Sequence, residues 1–375
     1  MIRVLHFSDI INRYDFIDVI VRGANASEFL VGACVRTAES NIADHGYAGS
    51  DIPFWNLRTP SRKSILLCAW RLAGILRSWA PDILHTHHYE QAVIGWIATR
   101  ICTRTRLVVG RHYSDALYRV PGRVRRAMLL QIEAIVNRSA ARIIVPSQTI
   151  HKILAERQGV SAGKIDVIPY AFDPSKYTIP SPAEIRQTRE ELGLHGRFVV
   201  GTFARLHPEK GHSFLLQSAA ALRRQIPGIQ FLFLGDGPER LAIETVIRRS
   251  GLEDIVRLAG HRRDVMTVMA AVDVVVQPTL QEGFSQVMAE ALWMGRPLIF
   301  TNVSGTVDIL KDGENAILAP IADWKGLAAA IERLATNPEE CNRIASNGRA
   351  YAERNLGLER ISLYERCYRE AVKTQ

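Results

Sequence analysis

With 375 residues, 47% of them hydrophobic and 23% charged, the chain has room for two domains of ordinary size, and its composition is that of neither a disordered nor a fibrous protein. No window reaches the eighteen apolar residues of a membrane-spanning helix, and the opening MIRVLHFSDI is too short an apolar run for a signal peptide, so it reads as a first strand. The net charge of +9 is uneven: from Arg58 to Arg142 fifteen Lys and Arg stand against four acids, a local balance of +11, and the remainder sums to −2.

In the first half, short apolar runs alternate with stretches of helical length and period. VLHF (4–7), FLVGACV (29–35), ILHTH (83–87), RLVVG (106–110), RIIVPS (142–147) and IDVIPY (165–170) are the predicted strands; residues 64–80, 92–102 and 124–140 are predicted helices. Such alternation predicts an α/β fold, a parallel sheet covered by helices. Residues 174–197 interrupt the pattern with prolines and charges, and it then resumes, with strands near 198–203, 229–235, 255–259, 272–277 and 297–301. We therefore expect two doubly wound, Rossmann-like domains, residues 1–175 and 176–356, with nucleotides bound at the carboxyl ends of strands. The last segment, Leu358 to Val372, has the pattern of an amphipathic helix.

The second half holds the densest chemistry. An apolar strand, Val272 to Pro278, leads into a loop with Glu282, Gly283, Phe284 and Ser285, and then into a helix closed by Gly295. A helix N-terminus offers unpaired N–H groups and a positive dipole end, a seat for a diphosphate. Glu290 lies on a helix that is apolar nearly all round, where a carboxylate requires partners; ribose hydroxyls would serve, and the alternative is a surface Lys or Arg. Eight residues of helix separate Glu282 from Glu290 by roughly 12 Å, beyond the ~5–9.5 Å of a glycosidase acid/base pair. Arg205 and Lys210 flank Pro208 in the loop after the first strand of this half, where two cations can clamp a diphosphate or can simply be solvated. Gly235-Asp-Gly-Pro238 reads as a tight turn with Pro238 starting a helix, and Arg263 in GHRRDV is placed to stack on a nucleobase or to lie in solvent.

In the first half, HTHHYE (85–90) and GRHYSD (110–115) put histidines at strand ends. On an extended strand His85 and His87 point one way and His88 the other, with no cysteine or acid to complete a metal set. The five cysteines are scattered, without C-x-x-C spacing, which predicts a reducing compartment and no zinc site; no D-x-D pair occurs. We expect no metal. The stretch Arg119 to Arg142 interleaves arginines with Met128, Leu129, Leu130, Ile132, Ile135 and Val136, the pattern of a domain helix with a solvated face or of a surface for anionic lipid. No zinc finger or helix-turn-helix pattern supports nucleic acid.

EGFSQVMAE, with seven residues between Glu282 and Glu290, resembles the E-x7-E signature of retaining glycosyltransferases of family four, which have the GT-B fold. The likeness extends to GTFARLHPEKG (201–211), LGDGPER (234–240) and GHRRDV (260–265), and more loosely to much of the chain. It implies two domains facing across a cleft, with residues 357–375 crossing back to the first. It also implies sugar transfer from a UDP- or GDP-sugar to a hydroxyl of a saccharide or lipid-linked acceptor, with retention and without metal. Arg205 and Lys210 then fall on the family's diphosphate-binding pair, Glu282 on the residue holding the sugar, and Glu290 on the ribose contact. His112 matches a position beside the transferred sugar. The family's glycine-rich loop after the first strand is replaced by SDIINRYDFID (8–18), where Asn12 and Arg13 are candidate ligand contacts. A cytoplasmic enzyme of cell-surface polysaccharide, lipopolysaccharide or lipid-linked oligosaccharide assembly, peripheral to the inner membrane face, is the expectation. A nucleotide-sugar epimerase and a non-catalytic binding protein are the alternatives.

Overall fold

The computed structural model describes residues 1–9, 11, 16–37, 47, 50–59, 64–102, 104–113, 116–194 and 197–373. The chain divides into two compact units, Met1–Asp173 with Leu358–Gln375, and Pro174–Gly357.

The first unit is built on a seven-stranded sheet of β1 (Ile2–Ser8), β2 (Phe29–Val35), β3 (Phe54–Asn56), β4 (Ile83–His87), β5 (Arg106–Gly110), β6 (Arg142–Val145) and β7 (Ile165–Val167). Its order is β3-β2-β1-β4-β5-β6-β7, and its paired strands run parallel. Val4, Ala33, Ile83, Val108 and Ile144 line one face with the helices Phe16–Gly23 and Ile361–Lys373. Leu5, Phe7, Leu84, Leu107 and Ile143 line the other, under the helices Ile65–Trp79, Tyr89–Ile101 and Arg123–Ser139. Burial on both faces explains why these strands read as unbroken apolar runs rather than alternating ones. The C-terminal helix is part of this unit: Tyr364, Cys367, Tyr368 and Ala371 are buried in its core, Glu365 accepts from the Asn25 amide, and Arg369 pairs with Glu28 at 2.6 Å.

The second unit has a six-stranded parallel sheet of β8 (Val199–Phe203), β9 (Gln230–Leu234), β10 (Val256–Gly260), β11 (Val274–Gln277), β12 (Leu298–Thr301) and β13 (Ile317–Ala319), in the order β10-β9-β8-β11-β12-β13. Its core joins Val200, Phe231, Phe233, Val274 and Ile299 to Leu215, Leu222 and Ile331 of the helices His212–Gln225 and Trp324–Thr336.

Three local features differ from the sequence reading. The proline-rich stretch after residue 174 contains a helix, Pro182–Glu191, opened by a full capping box between Ser181 and Glu184. The basic helix begins at Arg123 rather than Arg119, because Gly122 sits at φ 87°, outside the helical region, and Pro121 disfavours helical backbone at Val120 before it. The helix after the GDGP turn starts at Arg240, two residues beyond Pro238. Asn12 and Arg13 lie outside the described residues.

Candidate functional site

In the second unit the loops leaving β8, β9, β11 and β12 converge. Gln277 ends β11, and the loop 278–285 is tied to the β8 loop by hydrogen bonds from the Leu280 amide and the Thr279 hydroxyl to the Glu209 carbonyl, at 2.7 and 3.1 Å. The Thr301 hydroxyl donates to the Thr279 carbonyl, pinning the same loop to the end of β12. The two loops approach so closely at Gly211, which has φ 69°, that a Cβ there would lie 1.9 Å from the Pro278 oxygen. The GDGP turn braces the β8 loop from its other side: the Leu206 amide donates to the Asp236 carbonyl, and the Glu239 amide to that of Leu206.

This bracing brings Lys210 and Glu282 together. Lys210 Nζ donates to Glu282 Oε2 at 2.7 Å, with both side chains 18% exposed. Burial raises the Glu282 carboxyl above its ordinary range while the Lys210 charge opposes it. Arg205 is different: its side chain is 76% exposed, and among the described residues its ion-pair partner is Glu209, at 3.9 Å. One cation is thus held in place by a carboxylate and the other projects into solvent, at the carboxyl end of β8 where an anion can be met by both.

Ser285 caps the helix Gln286–Trp293, its Oγ accepting from the Met288 amide at 3.2 Å, and Gly283 and Phe284 are buried in the turn before it. One turn inside the helix, buried Glu290 has neutral partners: Tyr177 donates its hydroxyl to Oε1 at 3.1 Å and Gln286 its amide at 3.2 Å. Burial outweighs these two hydrogen bonds and lifts the carboxyl to about 7. Among the described residues, neither Lys nor Arg is hydrogen-bonded to it. Gln286 was legible as the i−4 neighbour on the same helix face; Tyr177 was not, being 113 residues away. Arg263 is exposed beyond β10, and its neighbour Arg262 is taken up by Asp264 at 2.5 Å.

The family assignment rests on both halves of the chain. A family model described as glycosyl transferases group 1 matches residues 197–337, and one described as glycosyltransferase family 4 matches residues 18–176. The chain belongs to this glycosyltransferase family. The transferase is 26% identical over 306 residues to 2-deoxystreptamine glucosyltransferase of Streptomyces kanamyceticus, covering 77% of this chain and 79% of the relative. It is 25% identical over 360 residues to D-inositol 3-phosphate glycosyltransferase of Saccharomonospora viridis, covering 90% and 81%. Among solved structures, Anabaena HepE in complex with UDP-glucose superposes with a TM-score of 0.81 at 24% identity, covering 98% of this chain and 99% of that one. That likeness establishes the GT-B fold.

His112 of the transferase lies in the first unit. It is buried, and neither ring nitrogen is free: Nδ1 meets the Tyr170 hydroxyl at 2.6 Å and Nε2 meets His87 Nδ1 at 3.0 Å. His85 and His87 do share a face, with ring centroids 4.2 Å apart, and His6 of β1 joins them, which the motif-by-motif reading missed. The signal was the register, since β1 lies beside β4 with His6 opposite His85. Nitrogens of His6, His85 and His87 fall within 4.8 Å of one another, the spacing of a potential metal set.

The basic surface of this unit also carries apolar side chains. Leu66 and Trp70 on the helix Ile65–Trp79 are 74% and 66% exposed, and Val124 and Met128 on Arg123–Ser139 are 85% and 55% exposed. Arg58, Arg123 and Arg125 of the same unit are exposed as well. No helix among the described residues is long and apolar enough to cross a membrane.

Proposed function

We propose that this glycosyltransferase moves a hexosyl group from a UDP-sugar, or else a GDP-sugar, to a hydroxyl acceptor, retaining the anomeric configuration and requiring no bound metal. The observation that carries the donor site is Glu290, a buried carboxyl whose partners among the described residues are the neutral Tyr177 and Gln286, placed one turn inside a helix whose preceding loop holds Glu282, the partner of Lys210. A buried carboxylate of this kind is completed by a pair of donors, which ribose hydroxyls supply. The relatives named as glucosyl- and glycosyltransferases, and the UDP-glucose bound by Anabaena HepE, support a UDP-sugar as the first donor to try.

In this reading the bond from the anomeric carbon to the diphosphate loosens to an oxocarbenium-like state. Lys210, Arg205 and the amides of Gly283 to Ser285 stabilise the charge arriving on the leaving phosphate. Lys210 leaves Glu282 in part to do so, and Glu282 is then available to the sugar hydroxyls. The acceptor attacks from the face of departure, its proton passing to the departing diphosphate oxygen. His112 is assigned to the sugar side, Phe284 to the wall of the donor site and Arg263 to the nucleobase. The test is calorimetric titration with UDP, GDP and ADP, first without metal and then with magnesium. Saturable metal-free binding of one nucleotide, lost in Glu290→Ala, is expected; binding of none, or only with magnesium, would overturn the donor site. The anomeric configuration of the product, read by NMR, tests retention.

The acceptor side is proposed to work at an anionic bilayer, in assembly of a cell-surface polysaccharide, lipopolysaccharide or lipid-linked oligosaccharide. What supports this is that Leu66, Trp70, Val124 and Met128 are exposed on a unit that also exposes Arg58, Arg123 and Arg125, the mixed apolar and cationic composition that such a surface attracts. Co-sedimentation with phosphatidylglycerol vesicles, but not phosphatidylcholine vesicles, lost in Leu66→Asp with Trp70→Asp, is the expected result. Equal recovery on both vesicle types would remove the membrane from this reading.

A further inference from the structure

One continuous line of hydrogen bonds, buried beyond its half-buried first residue, runs through the first unit. It begins at the Tyr170 hydroxyl, 2.6 Å from His112 Nδ1, and continues from His112 Nε2 to His87 Nδ1 at 3.0 Å. His87 Nε2 then meets His6 Nδ1 at 3.0 Å, and His6 Nε2 meets the Tyr368 hydroxyl at 3.2 Å. The same hydroxyl meets His85 Nδ1 at 2.9 Å, and there the line stops, because His85 Nε2 is buried without a partner among the described residues. His6, His85 and His87 are fully buried, and Tyr368 is 1% exposed. The register of β1, β4 and β5 places the rings on one face, and Gly110 opposite His87 leaves them room, since a Cβ there would stand 2.7 Å from His112 Nε2 and 3.0 Å from His85 Nε2.

A neutral imidazole has one N–H donor and one bare acceptor nitrogen. Each bond between two imidazoles needs one of each, so the choice at one ring dictates the choice at the next. His6, His87 and His112 must therefore all carry the proton on Nε2, or all on Nδ1. Burial holds the rings neutral, with His6 lowered to about 3 and the others well below the ordinary range. In the Nε2–H sense Tyr170 gives its hydroxyl proton to His112; in the Nδ1–H sense it accepts from His112 and keeps that proton to donate elsewhere. Since the line ends at a buried nitrogen it has no outlet for a proton, and its effect is to orient rather than to conduct.

We propose that His6, His87 and His112 form a single tautomeric unit, anchored by Tyr368 of the C-terminal helix, that sets the hydrogen-bonding sense of Tyr170. Tyr368, His6 and His87 are then positioning residues for the sugar-side group at His112 and Tyr170, and the C-terminal helix is coupled to that group through them. The effect on transfer rests on the assignment of His112 made above; the shared tautomer does not. A metal among His6, His85 and His87 competes with this arrangement, because a ligating nitrogen cannot donate or accept in the line. A divalent ion would also bring its charge into a pocket whose ligand set contains no carboxylate.

The experiment is long-range 15N–1H correlation NMR of the full chain labelled on histidine, with the rings assigned by single substitutions, beside kinetics with a UDP-sugar. One common tautomer on all three rings, unchanged between pH 7 and pH 5.5, is the expected result and needs no variant. In Tyr368→Phe the tautomer populations of the three rings shift in step, and kcat falls by about tenfold with the donor KM within about twofold. Tyr364→Phe, which removes from the same helix a buried hydroxyl without a partner among the described residues, leaves both unchanged. Different tautomers on the three rings, a stoichiometric histidine-dependent metal ion in the purified protein, or a Tyr368→Phe spectrum unaltered at His112 would each overturn the proposal. A shared tautomer without any measurable sugar transfer would instead count against the transferase site and leave the line standing.

Discussion

The proton on Glu290 gives a direct measure of whether ribose binds there. In the free chain burial lifts this carboxyl to about 7, so it is about half protonated at pH 7, nine-tenths at pH 6 and one-tenth at pH 8. Two hydroxyl donors favour the ionised form and draw the value back toward the ordinary 4.5. Binding at pH 7 then releases about half a proton per nucleotide, and affinity rises about thirtyfold from pH 5.5 to pH 8. We would measure this by calorimetry with UDP-glucose, without acceptor, in buffers of differing ionisation enthalpy. Both phosphates of a nucleotide-sugar are diesters, so the ligand itself exchanges no proton in this range. Glu290→Gln should flatten the profile. A heat independent of buffer at pH 7, with a Kd that moves by less than about threefold across the range, would refute the ribose contact. The same shift has a stability consequence. The folded carboxyl holds its proton more tightly than the unfolded one, so stability is fully present below about 4.5, declines as pH rises through about 7, and is then lower by about 3 kcal/mol. Glu290→Gln is therefore expected to stabilise the chain at pH 8 and to change little at pH 5, as read by urea denaturation.

Lys210→Ala should lower kcat by about 100- to 1,000-fold with circular dichroism unchanged; near-normal turnover would remove the diphosphate clamp. In the same variant Glu282 loses its cation, and its carboxyl, already raised by burial, should titrate higher still by NMR. Gly211→Ala forces a Cβ onto the Pro278 oxygen at a positive φ, and should cost about 2–4 kcal/mol in thermal or urea unfolding. Arg205→Ala removes an exposed side chain and should leave stability within about 0.5 kcal/mol while weakening binding of the nucleotide diphosphate, which separates its role from that of a structural cation.

What could be read in the chain and what could not divide along a physical line. Strands buried on both faces announce themselves as apolar runs, and so FLVGACV and ILHTH were found with their boundaries intact. The edge strands Phe54–Asn56 and Ile317–Ala319 are three residues long, too short for a period to register, whereas the equally short edge strand Ile165–Val167 was marked by the longer apolar run IDVIPY around it. The helix Pro182–Glu191 carries one local signal, the capping box of its Ser-Pro-Ala-Glu opening, but PAEIRQTREE has a single large apolar residue and so no 3.6-residue period. The helix Phe16–Gly23 begins inside SDIINRYDFID (8–18), the stretch expected as a loop from the family resemblance.

The site shows the same division more sharply. That Glu290 is buried follows from its own helix, which is apolar on nearly every side, so the cost of its charge was legible from eight residues of sequence. What meets that cost was not, because Tyr177 arrives from the other side of a whole sheet's worth of chain. The histidines invert the case. Each motif alone, one His in VLHF and three in HTHHYE, gives no reason to join them, and reading them motif by motif left His6 out. The join comes from topology. A doubly wound sheet that starts at its centre places the first strand beside the fourth, and once that order is granted, the parallel register sets His6 against His85 and His87 against Gly110. Four rings on one face of a buried sheet then have few partners other than one another and the tyrosines of the helix above. The helix Ile361–Lys373 supplies Tyr368 there only because the chain's last segment belongs to the first unit. The tautomeric line is thus a consequence of strand order and of where the last helix packs, neither of which any single motif contains.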